Sequence, residues 1–63
     1  MKNHIKELRS KNGLLQQELA DICGVSRQTV NAIENNKYDP TLEIAFKLAT
    51  ALETTIDELF ICE

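Results

Sequence analysis

The sequence predicts an all-α protein, a compact bundle of five short helices. Three observations carry that prediction. Apolar residues recur at helical spacing, and no segment alternates apolar with polar for long enough to make a strand. Residues suited to ending and starting helices punctuate the chain: Gly13, Gly24 and Asn36 as left-handed exits, Ser26, Thr41 and Thr55 as caps. With 63 residues, 43% of them hydrophobic, the chain makes one domain with a single small core. A domain of this size buries only about 60% of its unfolded surface, so a partner subunit would help to stabilise it.

The first helix is expected from about Asn3 to Asn12, burying Ile5 and Leu8 and stopping at Gly13. The second runs from Gln16 to Cys23. Ala20 lies mid-way along it, where a small side chain lets another helix cross closely. Gly24 leaves that helix through a left-handed conformation that a Cβ would disfavour. Ser26 caps a third helix from Arg27 to Glu34 or Asn35, with Val30 and Ile33 turned inward onto Leu19 and Ile22 or Cys23. Asn36 is the one non-glycine residue type that tolerates the left-handed exit well. Lys37 to Pro40 make a loop, because proline restricts the residue before it. Thr41 opens a fourth helix with an apolar stripe of Leu42, Ala45, Phe46, Leu48, Ala49 and Leu52. Thr55 and Glu58 form a capping box for a short fifth helix that buries Ile56, Leu59 and Phe60.

The net charge of −3 is unevenly spread. Residues 1–38 carry a balance of +2, and residues 39–63, where Lys47 is the only base, carry −5. A chain polarised in this way can offer one face to phosphate and turn the acidic face away. No apolar run approaches a membrane span and the first residues begin no signal peptide, so a cytoplasmic protein is expected. Cys23 and Cys62 form no CxxC and have no clustered histidine, which argues for a buried thiol at Cys23 and against a metal. His4, the only histidine, falls on the polar face of the first helix without an evident partner.

Helix, glycine turn and capped helix in this register make a helix-turn-helix, whose second helix lies in the DNA major groove. With that motif second and third among five helices, the chain resembles the Cro/cI-repressor (Xre) family of lambda-repressor-like proteins, over roughly residues 3–60. The matching residues are Leu8-Arg9, Gly13-Leu14, Gln16, Glu18 to Ala20, Gly24 to Val30, Ile33 to Asn35, Lys37, Pro40 and Ile56 to Phe60. Its size resembles that of the minimal stand-alone regulators. Three features depart from the family pattern. Leu15 stands where a capping Ser or Thr is usual, Asn36 replaces a common glycine, and the chain runs only three residues past Phe60.

At 100° per residue, the face of the third helix opposite Val30 and Ile33 carries Gln28, Ala32 and Asn35, with Asn31 to one side. Arg27 in the first turn has the shape for a bidentate contact to guanine, and Gln28 for one to adenine. Ala32 is small enough to let the helix sit deep against a thymine methyl. The resemblance gives Arg27, Gln28 and Ala32 the base-reading positions, while Asn31 stays open between base, phosphate and water. Gln16, at the start of the second helix, is a phosphate candidate, as are Asn35, Lys37 and Tyr38; Tyr38 packing on Pro40 is an equal alternative. The resemblance also has Gln16 bracing Arg27, and pairs Arg9 with Glu34 in a partly buried ion pair of structural role.

The function expected is that of a sequence-specific transcriptional regulator, a repressor, binding double-stranded DNA as a homodimer on a palindromic operator. Phe60, Ile61 and Cys62, with part of the fourth or fifth helix, are the interface candidates. The alternative is an antitoxin or co-regulator whose main partner is another protein. No cofactor is expected. An isolated histidine, with no clustered nucleophile and base and no phosphate-cradling glycine loop, leaves nothing for catalysis.

Overall fold

One apolar core closes the molecule, made of Ile5, Leu19, Ala20, Cys23, Val30, Ile33, Ala45, Leu48, Ala49, Leu52, Leu59 and Phe60. These residues come from every helix of a computed structural model that describes residues 1–61. The helices are α1 (Ile5–Lys11), α2 (Gln16–Cys23), α3 (Arg27–Glu34), α4 (Leu42–Ala51) and α5 (Ile56–Leu59). Of the two residues left open behind α3, Cys23 is the one that is buried, while Ile22 is 59% exposed. Burial pushes the Cys23 thiol above its ordinary range, with Lys47 pulling partly back, so it stays protonated as a small core residue.

The ends of α2 and α3 fall where the sequence places them because they are local events. Gly24 is left-handed at φ 71°, and its N–H bonds back to the Asp21 carbonyl. Ser26 accepts from the Thr29 N–H at 3.1 Å, Thr41 from Ile44 at 3.3 Å and Thr55 from Glu58 at 3.2 Å. Leu15 has no side chain with which to cap α2. Glu18 nevertheless reaches back to accept the Leu15 N–H at 2.8 Å, which is half of a capping box. Asn36 is left-handed at φ 61°, as its residue type allows.

Three expectations need correction. α1 begins at Ile5, not Asn3, because Asn3 has other work. It pairs with Phe60 in a two-residue antiparallel ribbon, β1 (Lys2–Asn3) against β2 (Phe60–Ile61), that ties together two ends of the described chain. Pairs this short have no alternation to read, so the helical reading missed the ribbon. The Asn3 side chain also accepts from the Ile5 N–H at 3.0 Å and donates to the Ile33 carbonyl at 2.9 Å. His4 is consequently the cap residue of α1, not part of its polar face, and its Nδ1 lies 3.1 Å from Glu7 Oε2. Lastly, the α4 stripe is only partly covered: Leu42 is 68% and Phe46 57% exposed.

Glu53 closes α4 in the left-handed region at φ 56°, a position the sequence did not flag. An ordinary side chain there is strained by roughly 1–2 kcal/mol. Glu53→Gly should relieve it, less the extra entropy that glycine loses on folding, for a net gain of up to about 1 kcal/mol. Thermal melting is the check, with a rise of about 4–8 °C per kcal/mol in a domain of this size.

Candidate nucleic-acid interface

α2 and α3 pack across the turn at Gly24 and Val25, whose N–H donates to the Ala20 carbonyl at 3.0 Å. Ala20 is fully buried at the crossing, as a close helix approach requires. With Val30 and Ile33 anchored in the core, α3 must present the rest of its surface outward. Arg27, Gln28, Asn31 and Asn35 are exposed there, and Ala32 is half-buried beside them. Beyond the helix, Lys37 and Tyr38 are exposed in the loop. Every α3 residue singled out for base or phosphate contact therefore lies outside the core, along one short helix.

The polar residues behind this face form one chain of contacts. Arg9 Nε donates to Glu34 Oε2 at 2.8 Å, with Arg9 Nη2 at 3.4 Å from Oε1, and Arg9 Nη1 donates to the Leu14 carbonyl at 2.9 Å. The side chains are only 13% and 4% exposed. Glu34 closes α3, and Arg9 neutralises its charge. Gln16 Nε2 donates to Glu34 Oε1 at 3.2 Å, while its Oε1 lies 3.5 Å from both Arg27 Nη1 and Asn31 Nδ2. Gln16 thus lies beside Arg27, as the resemblance implies, at the outer limit of hydrogen bonding. Its contact with Glu34 was not foreseen, since nothing local in the sequence brings residue 16 to residue 34.

The remaining candidates are more scattered. The Asn35 amide donates to the Asn31 carbonyl at 2.9 Å, leaving its oxygen free to turn outward. Phe60 is 8% exposed, closing the core and pairing in the ribbon, whereas Ile61 is 37% exposed. Cys62 lies outside the described residues. Among those residues no group of His, Cys, Asp and Glu is placed to hold a metal, and no helix is long and apolar enough to cross a membrane.

A family model described as Helix-turn-helix matches residues 5–59, nearly the whole described fold. The chain belongs to the helix-turn-helix family. One member, an uncharacterized HTH-type transcriptional regulator of Methanocaldococcus jannaschii, is 49% identical over 63 residues, covering 100% of this chain and 96% of its own length. Among solved helix-turn-helix structures, the restriction-modification controller protein C.AhdI from Aeromonas hydrophila superposes with a TM-score of 0.82. It is 39% identical, over 89% of this chain and 85% of the other. SinR, the master regulator for biofilm formation, solved in complex with DNA, gives a TM-score of 0.75 at 28% identity, over 82% of this chain and 84% of that one.

Proposed function

We propose that this chain is a transcriptional regulator that reads DNA sequence with α3 in the major groove, repressing from a palindromic operator as a homodimer. The observation that carries this reading is the division of α3 into two faces. Val30 and Ile33 are locked in the core, and Arg27, Gln28 and Asn31 are exposed on the other side, where base edges would meet them. The printed descriptions of its relatives, as transcriptional regulators, a controller protein and a regulator solved with DNA, support it. Lys37, Tyr38, Asn35 and the start of α2 at Gln16 serve as phosphate contacts.

A helix of eight residues is about 12 Å long and meets only a few base pairs. Selectivity therefore needs two copies, with reading helices about 34 Å apart on a two-fold site. Ile61, and separately Leu42 and Phe46 of α4, are exposed apolar residues that support association, while Phe60 is mostly taken up in the core. The same residues would serve an antitoxin or co-regulator docking on another protein. Catalysis has no part in this reading, nor has a cofactor, and the site of action is the cytoplasm.

Selection of bound duplexes from a random pool at near-physiological salt tests the proposal. An enriched palindrome with half-sites about one turn apart supports it. A folded dimer that enriches nothing defeats it in favour of the protein-partner reading. Two substitutions separate reading from positioning. Gln28→Ala should relax preference at one position per half-site by about 1–3 kcal/mol, while Lys37→Ala should weaken all sequences alike and flatten the salt slope by about one. Binding measured on operator and scrambled duplexes over a salt series distinguishes the two.

A further inference from the structure

The contacts of Gln16 reach in two directions, and the chemistry of one fixes the other. Glu34, held by Arg9, offers only acceptor oxygens, so the edge of the Gln16 amide facing it at 3.2 Å must be the NH2. The amide oxygen is then turned to the opposite side, where Arg27 Nη1 and Asn31 Nδ2 each approach to 3.5 Å. An amide whose orientation is usually ambiguous is here set by a carboxylate that can only accept. A carbonyl oxygen has two lone pairs, so it can serve both donors, but at this distance it holds neither tightly.

Resting on the reading of α3 given above, we propose that Glu34 is a positioning residue for specificity: by fixing the Gln16 amide it makes one oxygen the shared acceptor of Arg27 and Asn31. The two side chains are then not independent readers. When Arg27 leaves Gln16 for a base edge, the oxygen becomes fully available to Asn31, and the converse holds. A base change that alters the pose of one therefore alters what the other can bind. The preferences at the two positions are coupled through Gln16. The buried ion pair, beyond holding α1 to α3, sets the polarity of the surface offered to DNA.

The test measures affinities of the wild-type protein for duplexes carrying all single and paired base changes at the two positions. Loss of preference in Arg27→Ala and in Asn31→Ala identifies those positions. In the wild type, paired changes should depart from the product of the single ones by about three- to tenfold. In Gln16→Met, similar in size but without the amide, the departure should fall within about twofold, while each single preference persists in weaker form. Thermal melting of Gln16→Met checks that the fold is intact. In the free wild-type protein, the Gln16 side-chain amide proton that faces Glu34 should be protected from solvent exchange. Additive wild-type preferences overturn the proposal, as does coupling that persists in Gln16→Met or a Gln16 amide with neither proton protected from exchange. If Arg27→Ala and Asn31→Ala change no base preference, the reading of α3 itself fails, and the proposal with it.

Discussion

Arg9→Ala should unfold much of the protein at 37 °C, although Arg9 lies in α1, outside the helix-turn-helix. It leaves the Glu34 carboxylate, 4% exposed, without its cation. Removing one partner of a buried pair costs about 3–5 kcal/mol. A domain of 63 residues has a total stability of only about 3–9 kcal/mol at the usual value per residue, so the loss is comparable with the whole. DNA affinity falls as a consequence of the unfolding. Thermal melting decides the matter, and an Arg9→Ala protein that melts like wild type would refute the structural role of the pair. Replacing both partners with apolar residues, in Arg9→Met with Glu34→Leu, should restore stability, because the cost lies in the uncompensated charge. The restored double variant should keep its single base preferences in weaker form but lose the coupling between them, because the Gln16 amide has lost its anchor.

Leu19→Ala should have an effect of similar size from a different cause. Leu19 is fully buried where α2 meets the rest of the core, and truncation removes its transfer free energy and leaves a cavity. The expected loss is about 2–5 kcal/mol, measured by urea unfolding. Its functional signature differs from that of a reading residue. Apparent affinity should fall by the fraction unfolded, with the ranking of operator sequences unchanged. Saturating operator should raise the melting temperature, because DNA binds only the folded form. A changed base preference in Leu19→Ala would mean that the cavity reorients α3, and that the core does more than hold it in place.

These two substitutions also mark how far the sequence could be read. Leu19, Val30 and Ile33 declare themselves by helical spacing, and the ends of α2 and α3 are readable because Gly24 and Ser26 act on residues within three or four positions. The outward face of α3 follows directly, since whatever opposes an anchored Val30 and Ile33 must face outward. Glu53 was less legible. Its left-handed conformation is imposed by the turn from α4 to α5 on a residue that does not advertise it. The six-residue stripe on α4 was overread, because how much of a wide stripe is covered depends on what packs against it, and Leu42 and Phe46 are left bare.

By itself, then, the sequence determined the number and order of the helices, the caps and turns that bound α2 and α3, and the outward face of α3. All of these follow from interactions between residues close in the chain or from periodicity along one element. Tertiary structure alone decided the rest. It pairs Asn3 with Phe60, leaves Phe46 outside the core and brings Gln16 against Glu34 across 18 positions of sequence. Contacts of that kind depend on how helices cross, which no local pattern encodes, and in this protein they set which atom of Gln16 faces Arg27 and Asn31.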